Sequence, residues 1–230
     1  MPTRPLLLGH RGARAEKSVP ENTIASFDLA LARGCDGFEF DVRLTADGQA
    51  VLCHDPKTRG LVISKCSAQH LRLPLLREVL ARYQRTAFLD IELKLPGLET
   101  ISCELLRSLA PSRGFVVSSF LPQVLEKIRG IDANIPLGLI CETQPQLSRW
   151  PQLPVEYVIV HHKLVRPKLV ADINAGRGKI FVWTVNDSAD IKRFLRWGLD
   201  GMISDHPQPL MLALGGGWNP RTRNGNPRQA

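Results

Sequence analysis

The sequence predicts a single α/β domain with the (β/α)8 TIM-barrel architecture, in which a helix follows each parallel strand. Short apolar segments with strand character alternate with segments whose apolar residues recur at helical spacing, and this alternation favours a parallel sheet. Eight such units suggest closure into a barrel. An open doubly wound sheet is the alternative, but no G-x-G-x-x-G loop follows the first strand, as it usually does in that fold.

The predicted elements follow one another along the chain with short connections. The eight predicted barrel strands are Leu6–Leu8, Phe38–Val42, Phe88–Leu93, Val116–Ser118, Leu137–Ile140, Tyr157–Val160, Ile180–Trp183 and Met202–Ser204. The predicted helices are Glu21–Arg33, Leu75–Tyr83, Leu98–Leu109, Pro122–Ile131, Pro167–Asn174, Ala189–Arg196 and Pro207–Leu214, with a short helix or loop at Pro145–Trp150. Glycines follow three of these helices, at Gly34, Gly176 and Gly198, where helices commonly end. Asn22 is expected to cap the first helix or to contact a ligand.

The alternation is interrupted once, after the second strand. Thr45–Gly48 is typical of a turn, and Gln49–Cys53 is predicted to run back as a strand. The segment Asp55–Pro74 is mostly polar and is predicted to be irregular, as an insertion in the barrel. The barrel is predicted over residues 1–214. Residues 215–230 contain three arginines and no acidic residue, and they are predicted to form a disordered basic tail.

Composition and charge limit the classes of function. No apolar run approaches the ~20 residues that a membrane helix needs, and Leu6–Leu8 is too short for the core of a secretory signal, so a cytoplasmic protein is predicted. The five cysteines form no C-x-x-C pair, which argues against a disulfide framework. The net charge of +8 favours anionic substrates. Lys and Arg form no cluster with interleaved aromatic residues, so nucleic acid is not expected as a partner.

Two acidic residues lie inside the second predicted strand. Side chains alternate along a strand, so Glu39 and Asp41 point to one face while Phe38 and Phe40 point to the other. Two adjacent carboxylates in an apolar strand repel each other and resist desolvation, and a divalent cation between them would relieve both costs. The alternative is a strand end whose acidic side chains are simply solvated.

Further polar residues fall where the other predicted strands end. The active site of a (β/α)8 barrel lies at the carboxyl ends of its strands. Any one of these residues has an ordinary structural explanation, but their recurrence on separate strands predicts one shared site. The residues expected at this rim are His10, Arg11, Glu39, Asp41, His54, Glu92, Lys94, Trp183 and Asp205.

The residue types in this set indicate a chemistry. Glu39, Asp41 and Glu92 offer only oxygen ligands, which favours Mg²⁺ or Ca²⁺ over zinc. The histidines, His10 and His54, are then free to act as proton acceptor and proton donor near neutral pH. Positive side chains suited to a phosphate follow two of the strands, at Arg11 and Lys94. Together these groups suit attack at phosphorus with protonation of an alcohol leaving group.

The chain also resembles the glycerophosphodiester phosphodiesterases, in an order that runs from about residue 6 to about residue 210. The segments that carry the resemblance are Gly9–Gly12, Pro20–Thr23, Glu39–Val42, Thr45–Gly48, His54–Asp55, Ile91–Lys94, Val182–Asn186, Asp200–Gly201 and Ser204–Asp205. The resemblance implies a barrel with one divalent cation on Glu39, Asp41 and Glu92, an acid–base pair in His10 and His54, and phosphate contacts from Arg11 and Lys94. It implies hydrolysis of small-molecule glycerophosphodiesters to sn-glycerol 3-phosphate and an alcohol. The sequence does not decide whether a cyclic phosphate forms as an intermediate. Trp183 is expected to contact substrate, with simple packing as the alternative.

One departure from the family concerns the insertion. Members usually carry a longer insertion between the second and third barrel strands, and Asp55–Pro74 is predicted to be a shortened form that leaves the site more open. Lysophospholipids are therefore also considered as substrates. Two further alternatives are a lyase of the spider-venom phospholipase D type, which releases cyclic phosphate, and a non-catalytic phosphodiester-binding protein. The first relies on disulfides, and the second is expected to have lost a histidine that this chain retains.

Overall fold

The computed structural model describes residues 4–206 and residue 208. Its strands are β1 (Leu6–His10), β2 (Gly37–Leu44), β3 (Ala50–Leu52), β4 (Lys57–Thr58), β5 (Leu61–Val62), β6 (Phe88–Leu93), β7 (Phe115–Ser119), β8 (Leu137–Cys141), β9 (Tyr157–His161), β10 (Lys179–Trp183) and β11 (Gly201–Ser204). Its α-helices are α1 (Ile24–Ala32), α2 (Ala68–Leu71), α3 (Leu76–Tyr83), α4 (Glu99–Leu109), α5 (Pro122–Ile131), α6 (Gln144–Leu147), α7 (Pro167–Ala175) and α8 (Ser188–Trp197). Short 3-10 turns lie at Ile63–Lys65, Trp150–Gln152 and His162–Leu164.

Eight of these strands form a closed parallel barrel. Their order is β1, β2, β6, β7, β8, β9, β10 and β11, and β11 pairs in turn with β1. In β1, Leu6 lies opposite Gly201 of β11, and Leu8 lies opposite Gly37 of β2. Each of these eight strands is therefore paired with a neighbour on both sides, and β3 pairs antiparallel with the end of β2. The predicted (β/α)8 barrel is thus confirmed, and the predicted strands agree with the observed bounds to within two residues.

The outer core explains why β2 points its carboxylates inward. Phe38 and Phe40 face the helices, where the ring of Phe27 from α1 stacks on Phe38 with 4.1 Å between centroids. Tyr83 of α3 packs edge-on against Phe38 at 4.9 Å. This aromatic cluster fixes the facing of the strand, because a shift by one residue would turn every side chain to the opposite face. The intervening Glu39 and Asp41 must then point into the barrel.

An aromatic layer fills the lower part of the barrel interior. Phe88, Tyr157 and Phe181 start their strands or lie near the start, and their rings contact one another with centroids 5.2–6.4 Å apart. They belong to a buried cluster with residues such as Leu8 and Ile203. Branched and aromatic side chains in layers make such a barrel a packed core rather than a pore. The interior is therefore closed below and available to polar groups only towards the carboxyl ends of the strands.

Helix α1 begins later than predicted, and the reason lies in Asn22. We expected a helix from about Glu21, with Asn22 as its cap or as a ligand contact. Thr23 is the cap instead, and its hydroxyl accepts a hydrogen bond from the amide of Ser26. Asn22 adopts a left-handed backbone conformation with φ of 57°. Its side chain spans to β2, where it donates to Asp41 Oδ2 at 2.9 Å and accepts from the Asp41 amide at 3.1 Å.

The insertion after β2 is more ordered than its sequence pattern indicates. We expected Asp55–Pro74 to be irregular, but the hairpin of β4 and β5, a 3-10 turn and α2 lie within it. Val51, Ile63 and Leu71 form a small apolar cluster under these elements. Elements of two to four residues are too short to show a period, which is why the pattern gave no sign of them. That the segment is shorter than in other members stays a prediction.

The remaining predicted helices within residues 4–206 agree to within one residue, and the short helix expected near Pro145 is α6. Apart from residue 208, the predicted helix Pro207–Leu214 and the predicted basic tail at 215–230 lie outside the described residues. Across the described part of the chain, no helix combines the length and the apolar character needed to cross a membrane.

Candidate active site

Three carboxylates meet inside the upper end of the barrel. Glu39 and Asp41 project from β2 and Glu92 from β6, with Asp41 and Glu92 directly opposite each other in the parallel register. One oxygen from each lies within 4.8 Å of the other two, and all three residues are buried. The sequence placed these acids at one rim, and the structure brings them to the spacing of ligands around a single ion.

The charge state of this cluster fits a bound cation. Burial, together with the charges of Asp41 and Glu92, raises the pKa of Glu39 well above its usual value. Burial also raises the pKa of Glu92 to about 7. Glu39 Oε1 is buried without a hydrogen-bond partner among the described residues. An oxygen-only donor set with an orphaned buried carboxylate atom is what a hard divalent cation such as Mg²⁺ or Ca²⁺ requires.

Two basic side chains partly compensate these acids. Lys94 Nζ lies 2.6 Å from Glu92 Oε1 and 3.1 Å from Asp41 Oδ1. Arg11 Nε lies 3.1 Å from Asp41 Oδ2, and Arg11 Nη1 donates to Glu21 Oε1 at 2.8 Å. Arg11 has φ of 50°, and in this conformation its backbone amide donates to Glu39 Oε2 at 3.0 Å. Both basic residues therefore lie at the carboxylate cluster, where each also lines the cavity expected to receive a phosphate.

The ring of His10 is held between two carboxylates. Its Nδ1 lies 2.7 Å from Asp205 Oδ1, and its Nε2 lies 3.8 Å from Glu39 Oε2. Asp205 is itself fixed, because it accepts from Asn186 Nδ2 at 2.8 Å and from Arg14 Nη1 at 3.2 Å. Burial alone would raise the pKa of Asp205, but its hydrogen bond and charge interaction with His10 lower the pKa below the usual value. The ionised Asp205 thus orients His10 with Nε2 towards the cavity.

His54 lines the same cavity in a more open position. Its side chain is 36% exposed, and its Nδ1 lies 2.8 Å from Asp55 Oδ1. Burial, with the nearby charges of Arg11 and Lys94, lowers the pKa of His54, although Asp41 opposes that shift. The ring is therefore neutral near pH 7 and available to accept a proton. The two histidines differ in environment, as groups with opposite proton-transfer roles usually do.

These side chains line a cavity of about 270 Å³. The polar part of the lining includes both histidines and two members of the acidic cluster, Glu39 and Glu92. The apolar part, here called the apolar wall, consists of Phe120, Ile140, Ile159, Trp183 and Ile203. The ring of Trp183 packs edge-on against Phe120 at 5.8 Å, and its Nε1 donates to the carbonyl of Ile159 at 3.2 Å. Trp183 thus both packs within the wall and presents a surface to the cavity.

Asp90 is a cavity residue that the site prediction missed. It precedes Glu92 by two residues on β6, and it is fully buried. Its Oδ1 accepts from Ser118 Oγ at 2.6 Å, whereas its Oδ2 has no partner among residues 4–206. Burial raises the pKa of Asp90 to about 7. The sequence pattern could have predicted Asp90, because Asp90, Glu92 and Lys94 alternate along one strand and therefore share the face that points into the barrel.

The structure brings all of the predicted site residues together. His10, Arg11, Glu39, His54, Glu92, Lys94 and Trp183 line the one cavity, and Asp41 lies directly behind it in the cluster. Asp205 lies at the same rim, as expected, but the sequence gave no sign of its contact with His10. The roles of these residues stay predictions.

Replacing Asp205 with asparagine is expected to lower turnover by about 10²- to 10⁴-fold, because the carboxylate that fixes the tautomer and orientation of an acid–base histidine contributes up to ~10⁴-fold. Steady-state kinetics would measure the loss. Asp172→Asn, on the exposed face of α7, is the matched control. An unchanged turnover in Asp205→Asn would contradict this role.

Fold and site together define a (β/α)8 barrel enzyme with a buried cluster of carboxylates at the spacing of metal ligands and two histidines at the carboxyl ends of its strands. The sequence model of the glycerophosphoryl diester phosphodiesterase family matches residues 10–108 and 99–209 of this chain. The chain is 30% identical to a glycerophosphodiester phosphodiesterase of Caldanaerobacter subterraneus, over 90% of this chain and 96% of the relative. The chain belongs to the glycerophosphoryl diester phosphodiesterase family, which confirms the predicted family and enzyme class.

Two further similarities concern ligands. The fold superposes on an Oleispira antarctica phosphodiesterase, in complex with the product sn-glycerol-3-phosphate, with a TM-score of 0.80 and 27% identity, covering 92% of this chain and 97% of that chain. A more distant relative is a mouse lysophospholipase D, which is 23% identical over 88% of this chain and 84% of its own length.

Proposed function

We propose that this protein hydrolyses glycerophosphodiesters to sn-glycerol 3-phosphate and an alcohol. The observation that carries the proposal is a cavity lined by two histidines, two basic side chains and buried carboxylates, beside a cluster of three carboxylates at the spacing of metal ligands. This set matches the needs of phosphodiester cleavage, which are charge neutralisation at phosphorus and proton transfer on either side of it. The product-bound Oleispira antarctica relative supports a glycerol phosphate product.

Glu39, Asp41 and Glu92 hold a divalent cation in this proposal. When bound, the cation neutralises charge on the phosphate and polarises its oxygens. Arg11 and Lys94 add positive charge beside the same group, since both line the cavity next to the cluster. Their ion pairs with the carboxylates also keep these long side chains in place before substrate binds.

The two histidines transfer the protons. The neutral ring of His54 accepts a proton from the oxygen nucleophile, which is water or the neighbouring glycerol hydroxyl, as that oxygen bonds to phosphorus. His10 donates a proton through Nε2 to the alcohol oxygen as its bond to phosphorus breaks. When the glycerol hydroxyl is the nucleophile, the product is a cyclic phosphate, which water then opens to sn-glycerol 3-phosphate. Asp205 supports the proton donation by His10, because its carboxylate at Nδ1 stabilises the positive charge that the ring carries. The apolar wall around Trp183 excludes water from one side of the cavity and packs against the carbon atoms of the substrate.

Removing the cation is expected to abolish activity. Glycerophosphocholine would be incubated with the protein in the presence of EDTA, Mg²⁺ or Ca²⁺, and release of sn-glycerol 3-phosphate would be measured with a coupled dehydrogenase assay. We expect release with at least one of the two metals and none with EDTA, with recovery when metal is restored. Full activity in EDTA would contradict the metal assignment. Folded protein that releases nothing with either metal would contradict the proposed reaction.

Lysophospholipids are a second candidate substrate class, favoured by the similarity to the mouse lysophospholipase D. The same groups at phosphorus would serve both reactions, so only the glycerol side of the cavity can distinguish the two classes. Turnover of lysophosphatidylcholine and glycerophosphocholine under identical conditions would rank them. Strict rejection of the lysolipid would exclude this second candidate.

A further inference from the structure

Asp90 is a buried carboxylate to which neither the proposed metal site nor the proton transfers assign a role. It is 0% exposed and lines the cavity. Asp90 Oδ1 accepts a hydrogen bond from Ser118 Oγ at 2.6 Å, whereas Oδ2 has no partner among the described residues. A buried acceptor without a partner is unfavourable, so folded proteins rarely retain one unless water or a ligand completes it.

The position of Asp90 in the barrel indicates which part of a substrate would reach it. Along β6, the inward-facing residues are Phe88, Asp90 and Glu92, in order from the closed floor to the carboxylate cluster. Residues two apart on a strand are separated by about 6.6 Å. A phosphate held at the level of Glu92 therefore places a three-carbon chain, extending inward, within reach of Asp90.

The glycerol portion suits this position better than the alcohol head group. Glycerol is small and common to all glycerophosphodiesters, whereas head groups differ in size and need the open mouth of the cavity. The apolar residues facing Asp90, among them Ile140 and Ile159, would contact the carbon atoms. An unpartnered acceptor and apolar side chains in one cavity suit a short carbon chain that carries a hydroxyl group, because the acceptor binds the hydroxyl and the apolar side chains contact the carbon atoms.

We propose that Asp90 Oδ2 accepts a hydrogen bond from the terminal hydroxyl of the substrate glycerol, and so selects substrates in which that hydroxyl is free. This inference rests on the proposed function and defines its substrate class more narrowly. Acylation at that hydroxyl replaces its hydrogen with an acyl carbon, which leaves no donor for Asp90. The acyl chain would also be directed at the aromatic layer of Phe88, Tyr157 and Phe181. Lysophospholipids acylated at the terminal position are therefore poor substrates.

The test compares binding of two ligands that differ only in the hydroxyl at issue. Isothermal titration calorimetry would measure the affinity of wild-type protein for sn-glycerol 3-phosphate and for 2-hydroxypropyl phosphate, with Mg²⁺ or Ca²⁺ present. We expect the wild type to favour sn-glycerol 3-phosphate by about 10- to 100-fold, the range for completing a buried polar group. Asp90→Ala should bind the two ligands about equally, by losing affinity for sn-glycerol 3-phosphate alone. Asp90→Asn, which retains an acceptor oxygen, should keep part of the preference.

Ile140→Val is the matched control, because it changes the facing wall and should alter both affinities without changing their ratio. If Asp90→Ala retains the wild-type preference, this inference is wrong while the proposed function stands, and Asp90 then serves a bound water or the fold. If the alanine variant does not fold, the wild-type ratio decides, and equal affinities overturn the inference. If folded wild type binds neither ligand, the proposed function fails, and this inference fails with it.

Discussion

Replacing His10 with alanine is expected to lower kcat for glycerophosphodiester hydrolysis by about 10²- to 10⁴-fold, the usual contribution of one general acid or base. His54→Ala should cause a loss of similar size, since in the proposed mechanism each ring serves one of the two proton transfers. Both histidines line the cavity, and neither belongs to the carboxylate cluster. Metal affinity should therefore persist in both variants. Steady-state kinetics and calorimetric titration with Mg²⁺ or Ca²⁺ would measure the two properties separately.

His70→Ala is the matched control for these variants, because His70 is exposed on α2 and lies apart from the cavity lining. Its activity should equal that of the wild type. A His10 or His54 variant with unchanged kcat would show that the acid–base assignment is wrong. Loss of metal binding along with kcat would instead place the affected ring in the cation site.

Glu39→Gln is expected to weaken cation binding on the order of 10²-fold, because cation affinity in oxygen-ligand sites follows the number of anionic ligands. Activity at limiting metal should fall with it.

In the metal-free protein, we expect Glu39→Gln to stabilise the folded state. The pKa of Glu39 is raised in the folded state, so the folded protein binds the proton more tightly than the unfolded chain does. Ionisation of Glu39 therefore destabilises the metal-free protein as pH rises above the unfolded pKa of about 4.5.

Thermal unfolding in EDTA would test the second part of this prediction. Glu39→Gln should have a higher Tm than the wild type at pH 7, and the difference should vanish near pH 4, where the unfolded carboxyl is largely protonated. Glu126→Gln, on an exposed position of α5, is the control and should show no such pH dependence. A Glu39→Gln variant that binds metal normally would remove Glu39 from the proposed ligand set.

The barrel could be predicted from sequence because its strands are apolar on the helix-facing side and, among the described residues, six of the eight are followed by a helix of eight to eleven residues before the next barrel strand. The site could be predicted to the same extent, since the carboxyl ends of parallel strands converge. Alternation alone oriented Glu39 and Asp41 correctly, because Phe38 and Phe40 have only one apolar face on which to pack.

Long-range polar contacts could not be predicted in this way. The contact between His10 and Asp205 joins residues 195 positions apart, and no local pattern records it. Asn22 was expected to cap a helix or to contact a ligand, but its side chain instead donates a hydrogen bond to Asp41 of β2. Asp90 was missed because the pattern that places it inside the barrel does not distinguish a buried carboxylate with a structural partner from one that faces a cavity.

The aromatic layer of Phe88, Tyr157 and Phe181 makes the cavity blind-ended, and this has a consequence for the order of events in turnover. Substrate and both products must use the same mouth. The portion that enters first lies deepest and is the last able to leave. With the glycerol portion deepest, as we propose, the alcohol is the first product to depart and glycerol phosphate follows it. The glycerol phosphate product would then compete directly with the next substrate molecule, while the alcohol would do so only weakly.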